Sequence, residues 1–210
     1  MTFLDTQKIS EKYKKQDCLW GLKPNKYVAQ IPKTIKSGTV LDLGVGEGRN
    51  ALFLVKQGFE VTGIDISKEA VNKLLKFAKK ENLDVKGIVL DLVDFEFNHK
   101  YDVILSVATL HLVSKDKVIE TIRKIKSHTK DKGINLLTVF TKKDIGYKEY
   151  PNLYFFNENE LKELYKDWQI LKYKNYIKEE THGEPHEHHI CVLIAKNRGP
   201  SSNNSLYNLD

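Results

Sequence analysis

Apolar positions along the chain switch repeatedly between a strand-like and a helix-like period. Short apolar runs recur at 39–43, 59–64, 86–90, 101–106 and 134–140, and each reads as a strand. Segments with helical spacing lie between them. Residues 49–57 are closed by Gly58. In 68–81, Ala70, Val71, Leu74, Leu75 and Ala78 form an apolar stripe, with Ser67 placed to cap it and Lys68, Lys73, Lys76 and Lys79 turned to solvent. Ser114 stands as cap of a helix over 115–128, whose Val118, Ile119, Ile122 and Ile125 share a face. Only the stretch between the third and fourth runs is too short for a long helix. This alternation predicts a mostly parallel sheet covered by helices on both faces.

The last third has a different pattern. Asn157 followed by Glu160 predicts a capping-box start to a short helix through Lys166. The β-rich runs 168–176 and 188–196 predict an antiparallel hairpin at one sheet edge. Turn formers dominate 197–205, so the 197–210 tail is expected to be disordered. Residues 1–36 read as an N-terminal helical cap, broken at Trp20-Gly21 and Pro24. A single domain is expected over 37–196.

Composition narrows the class. The chain has 210 residues, enough for one domain with a self-sufficient core, and its two cysteines are too few for a disulfide framework. No apolar run reaches the ~18–20 residues of a membrane span, and the first residues lack the layout of a signal peptide. A cytoplasmic domain is the expectation. The formal charge of +6 comes from lysines spread along the chain, which predicts a solvated surface rather than a nucleic-acid footprint.

The sharpest chemical signal is Leu41-Asp42-Leu43-Gly44-Val45-Gly46-Glu47-Gly48-Arg49, placed between a strand and a helix, where a nucleotide-type ligand loop belongs. A dinucleotide loop wants Gly-x-Gly-x-x-Gly, and Arg49 occupies the place of its third glycine. A nicotinamide-dependent oxidoreductase is therefore disfavoured. Asp65 ends the second strand, where a carboxylate can accept two ribose hydroxyls. Asp91 ends the third and can accept from an adenine amino group, with Leu92 against the ring. Asp42, two residues before the first glycine, would repel a pyrophosphate but suits a ligand carrying an ammonium or sulfonium. Together they describe a pocket for a cationic nucleoside.

Asp42-x-Gly44-x-Gly46-x-Gly48 with Asp65 and Asp91 resembles the binding motifs of class I S-adenosylmethionine-dependent methyltransferases. The resemblance implies a Rossmann-like, doubly wound sheet of seven strands in the order 3-2-1-4-5-7-6, with strand 7 antiparallel. It implies S-adenosylmethionine as cofactor. Asp42 and Gly44 would hold its methionine part, Asp65 with Ile66 the ribose, and Asp91 and Leu92 the adenine; Ser106 and Leu110 would line the methyl channel. Arg49 can reach the cofactor carboxylate, and Tyr13 and Trp20 can form a lid. A narrower resemblance, to the tellurite-resistance (TehB-like) branch, rests on Gly48-Arg-Asn50, Tyr101-Asp-Val-Ile-Leu-Ser106, Phe156-Asn-Glu-Asn-Glu-Leu161 with Tyr165 and Trp168, and His182-Gly-Glu-Pro-His-Glu-His-His189.

Four of the seven histidines fall in 182–189. A metal site, a solvated loop and a role beside the methyl acceptor all remain open there, although His188 and His189 in a strand point to opposite faces. No metal is assigned. By the resemblance, His182 and His189 are the candidate catalytic side chains, and His111, after the fourth strand, is a third. The expected activity is methyl transfer to a small-molecule acceptor, an oxyanion such as tellurite or a thiol, since no additional domain is present to grip a macromolecule. An RNA or protein methyltransferase and a non-enzymatic metal-binding protein are the remaining rivals.

Overall fold

The computed structural model describes residues 10–180 and 186–199. Seven strands, β1 (Gly38–Leu43), β2 (Phe59–Asp65), β3 (Lys86–Val89), β4 (Tyr101–Val107), β5 (Thr129–Phe140), β6 (Gln169–Glu180) and β7 (His186–Lys196), form one sheet in the order β3-β2-β1-β4-β5-β7-β6. The first five are parallel; β7 runs antiparallel to both β5 and β6. The order reverses between β1 and β4, and an α/β sheet opens a ligand crevice at the carboxyl ends of its strands at such a switch point. The expected topology is present.

Besides helical residues 10–15, the described residues hold six helices with the sheet: α1 (Ile31–Thr34), α2 (Arg49–Lys56), α3 (Lys68–Lys80), α4 (Val118–Ser127), α5 (Gly146–Glu149) and α6 (Glu160–Leu164). Ser67 caps α3, its Oγ accepting from the Ala70 amide at 3.3 Å. Ala70, Val71, Leu74 and Ala78 are buried as the stripe requires, but Leu75 is 41% exposed at its margin. Helix α4 starts three residues later than expected: Ser114 lends its backbone carbonyl to Lys117 and Val118, and it bridges to Leu153. The Asn157 amide donates to the Glu160 side chain at 2.8 Å, the reciprocal half of a capping box, and the helix ends at Leu164 rather than Lys166. One apolar core packs Leu41, Leu43 and Ile104 against α4 and Trp168; the other packs Val40, Val61 and Val103 against α2 and α3.

Three segments depart from expectation. Strand β5 begins at Thr129 rather than 134, because Lys132 adopts φ 63° and a bulge absorbs the extra residues between the Tyr101–Thr129 and Val103–Ile134 pairs. The hairpin is longer than its sequence runs, with β6 reaching Glu180 and β7 starting at His186. Of the expected disordered tail, Asn197 is fixed by its amide and side chain to Gly133, Thr129 and Lys130; residues 200–210 lie outside the described residues.

Among its described residues the N-terminal segment is less helical than expected on either side of the break. Residues 10–15 are helical, and helix returns only in a 3-10 turn at Val28–Gln30 and in α1. Between them the backbone is claimed by the glycine loop and its helices. The Glu47 carboxylate accepts from the Leu19 amide at 2.7 Å and the Trp20 amide at 3.2 Å, and Asn50 accepts from the Asn25 amide at 2.9 Å. Side-chain acceptors of this kind compete with a helix for its own amides. Lys73, expected on a solvated face, instead pairs with Glu47 at 2.9 Å and donates to the carbonyls of Tyr13 and Gln16.

Candidate functional site

One cavity of about 890 Å³ runs along the carboxyl ends of the strands, from the N-terminal segment past the glycine loop to β7. Its first end is set by the turn after β1. Gly44, Gly46 and Gly48 have φ of 79°, 56° and 89°, the left-handed region that a side chain would strain. The Gly44 and Val45 amides donate to the Ile64 carbonyl at 2.8 and 2.9 Å, and the Gly46 amide donates to Asp65 Oδ2 at 2.9 Å. Gly44 and Gly46 face the cavity. Gly48 does not; a Cβ there would run into Leu74, so it lets α2 pack against α3.

The three carboxylates behave differently. Asp42 is 1% exposed, does not itself line the cavity, and neither of its oxygens has a partner. Burial pushes its carboxyl up to about 7; nearby Arg49 opposes that rise and Asp65 adds to it. Asp65 lines the cavity at the end of β2. Burial raises it too, against hydrogen bonds from the Ser67 and Gly46 amides. Asp91 lines the wall and caps the 3-10 turn Leu92–Asp94 by accepting from the Val93 amide at 3.1 Å. Ile66, Leu92 and Arg49 also face the cavity. The Tyr13 side chain is buried against Gly46, while Trp20 stands 42% exposed at the rim.

Two expected channel residues are elsewhere. Ser106 and Leu110 are fully buried in the sheet and the core beneath the cavity. Strand β4 runs one residue further than expected, to Val107; Ala108 then turns at φ 57°, so that Val107, Ala108 and Thr109 reach the wall instead.

The far end is built by β5, α5 and β7. Alternation along β7 turns His186, His188 and Ile190 to the cavity. His189 is not on the wall. Its backbone is engaged, the amide donating to Asp144 and the carbonyl accepting from Thr141, and its side chain follows the opposite parity. His182 lies outside the described residues. His111 is 4% exposed, stacks on Phe140 with centroids 4.0 Å apart, and has an unpartnered Nδ1. Burial drives it down to about 3, so it stays neutral, and it does not line the cavity.

Asp144 and Phe140, missed by sequence reasoning, organise this end together with His186 and His188 of the 182–189 cluster. Asp144, 3% exposed, accepts at Oδ1 from the Gly146 amide (2.9 Å) and at Oδ2 from the His189 amide (2.8 Å) and His188 Nδ1 (3.0 Å). Burial works to raise its carboxyl, but these bonds outweigh it and hold Asp144 below the usual range. The His188 ring stacks on the second face of Phe140 at 4.4 Å, and its Nε2 lies 3.2 Å from Nε2 of His186. The available signal was Asp144-Ile-Gly146 itself, a turn-forming triplet at the carboxyl end of a strand. Among the described residues, no group of three or more His, Cys, Asp or Glu converges as a metal site, and no helix is long and apolar enough to cross a membrane.

Residues 10–192 match the family model described as tellurite resistance protein TehB. The chain is 34% identical over 160 residues to the probable S-adenosyl-L-methionine-dependent methyltransferase TehB of Haemophilus influenzae, covering 76% of this chain and 54% of that protein. It is 30% identical over 177 residues to hemagglutinin 1 of Eikenella corrodens, covering 82% and 59%. The chain thus spans somewhat over half the length of these curated relatives. Among solved structures, TehB from Haemophilus influenzae superposes with a TM-score of 0.76 at 29% identity over 90% of this chain and 67% of that one. The fold is also that of a magnesium protoporphyrin IX methyltransferase from Synechocystis solved with bound SAH, with a TM-score of 0.65, 17% identity, and 94% and 88% covered.

Proposed function

Because the chain belongs to the TehB family, we propose that it is an S-adenosylmethionine-dependent methyltransferase acting on a small acceptor, an oxyanion such as tellurite or a thiol. The observation that carries this reading is Asp42. A buried carboxylate with two unpartnered oxygens is costly, and a cationic ligand at the adjoining loop compensates it. The remaining residues fit the same ligand. Gly44 and Gly46 admit it close to the backbone, and Asp65 keeps a second lone pair on each oxygen for ribose hydroxyls. Asp91 and Leu92 suit an adenine edge and face, and Arg49 a terminal carboxylate.

When bound, S-adenosylmethionine supplies an electrophilic methyl group on a sulfonium. The protein's own work is then to align the acceptor and exclude water, which proximity alone makes effective. The charge on the wall favours a small acceptor over a nucleic acid. Among the described residues, Lys12, Lys15, Arg49 and Lys178 are matched by Glu47, Asp65, Asp91 and Glu149, so these side chains set up no basic field at the mouth. Calorimetry with S-adenosylmethionine and its demethylated product tests the cofactor, and transfer of labelled methyl to tellurite and to small thiols tests the acceptor. Absence of binding at millimolar cofactor overturns the reading.

A further inference from the structure

The acceptor end contains a wired pair of side chains that a cofactor pocket does not require. The Asp144 carboxylate is buried and takes three donors, two of them backbone amides. An ionised carboxylate only accepts, so the ring nitrogen of His188 facing it, Nδ1, carries a proton. That assignment leaves Nε2 as the acceptor nitrogen of a neutral ring. His188 lines the cavity, and in that tautomer Nε2 of His186, 3.2 Å away, must be the donor to its Nε2. The ring cannot readily rotate out of this tautomer. Phe140 stacks on it at an interplanar angle of 16°, and Phe140 is itself fixed by His111 on its other face.

We infer that His188 is a general base for a protonated acceptor and that Asp144 is the positioning residue that fixes its tautomer, an assignment resting on the methyltransferase reading above. A base oriented by a third, buried group is the arrangement that activates weak nucleophiles at neutral pH. The acceptor class that needs it carries its own hydrogen at working pH, such as a thiol, whose ordinary pKa lies near 8.5. In the step, the X–H bond breaks and its proton goes to Nε2 of His188, where X–H has replaced His186 as donor. X forms its bond to the methyl carbon, and the electron pair of the sulfonium S–CH₃ bond stays on sulfur. The imidazolium left on His188 is held by the Asp144 carboxylate. The other charged or titratable groups facing it are His186 on its own strand, Lys178 opposite it on β6, His111 behind Phe140, and Glu149 of α5 on the cavity wall.

Side-chain ¹⁵N NMR of the wild-type protein reads the central element without any activity assay. The expected signature is a histidine with Nδ1 protonated and Nε2 bare, besides that of His128, whose Nδ1 donates to the Lys124 carbonyl at 2.8 Å; it is assigned to His188 by its disappearance in His188→Gln. In Asp144→Asn that signature is lost, and Asp144→Glu restores it in part. Methyl transfer to 2-mercaptoethanol should fall about 100-fold or more in kcat for His188→Gln and about 10-fold or more for Asp144→Asn. Calorimetric affinity for S-adenosylhomocysteine stays within about 2-fold in both variants, which shows that they fold. An Nε2-protonated His188 in the wild type, or an unchanged rate and ¹⁵N signature in Asp144→Asn, overturns the assignment. Loss of cofactor binding by the wild type would instead bring down the methyltransferase reading.

Discussion

At the glycine-loop end of the cavity Asp42 is buried with neither oxygen partnered, whereas at the β7 end the Asp144 carboxylate holds three donors. Both are aspartates at or just past the carboxyl end of a strand, and both are nearly inaccessible to water. Burial acts on each in the same direction. The difference lies in what surrounds them: Asp42 is pushed up to about 7, while Asp144 is held below the usual carboxylate range by its donors. An unsatisfied buried carboxylate marks a place completed from outside, by a ligand. A fully satisfied one fixes the geometry of its neighbours. On the proposed reading the first end receives a cation, and the second holds a ring in one orientation.

The largest expected effect follows from removing the unmet charge. Asp42→Asn should weaken S-adenosylmethionine binding by at least about 100-fold, the scale of breaking a buried ionic contact, as read by calorimetry. The same change should stabilise the ligand-free protein at pH 8. Asp42 has its native pKa raised from 3.8 to about 7, so its contribution to stability is full below pH 4 and lost as pH rises through about 7. At pH 8 the gain should be of order 2–4 kcal/mol in denaturant unfolding. Equal affinity in the variant would remove Asp42 from the site and end the contrast with Asp144.

Next in size is Gly48→Ala. The left-handed φ of 89° and the clash with Leu74 should cost about 1–3 kcal/mol of stability, measured by urea unfolding. An unchanged midpoint would mean that α2 and α3 can shift apart, and that the loop is less rigidly set than the β7 end.

His111→Phe probes the opposite end. Its native pKa lies near 3 against 6.5 in the unfolded chain, so its contribution is present above pH 6.5 and lost as pH falls through about 3. The variant should therefore lose less stability than the wild type between pH 7 and pH 5, by about 1–2 kcal/mol in melts across that window. Identical acid sensitivity would show that water reaches the ring. The smallest effect is expected for His189→Gln, under 2-fold in methyl transfer, because that side chain follows the strand parity facing away from the cavity. A large loss would reverse the assignment of β7 faces.

The two ends were also unequally legible in the sequence. Asp42, the glycines and Arg49 sit within eight consecutive residues, and Asp65 and Asp91 are marked by the ends of their strands. Local rules suffice for such a motif; the alternation of elements predicts the parallel sheet, and its strand order is what the family resemblance implies. The β7 end depends on pairs distant in sequence: His188 and Asp144 meet 44 residues apart, and Phe140 enters between two histidines from β5. Parity excluded His188 and His189 from sharing a face, but not which of them met the cavity, because that depends on the register of β7 against β5. The N-terminal segment failed for a related reason. Its helix propensity was overridden by Glu47, Asn50 and Lys73, side chains belonging to elements 25 to 60 residues away.

The most direct test of the central claim, that Asp42 awaits a cationic nucleoside, is the proton balance of cofactor binding. Titrating S-adenosylmethionine into the protein at pH 7 by calorimetry, in buffers of different ionisation enthalpy, counts the protons exchanged. Asp42 stands near half protonation there, so binding should release about half a proton per site, and Asp42→Asn should abolish that release. No binding heat at millimolar S-adenosylmethionine, or tight binding with the same proton count in Asp42→Asn, would contradict it.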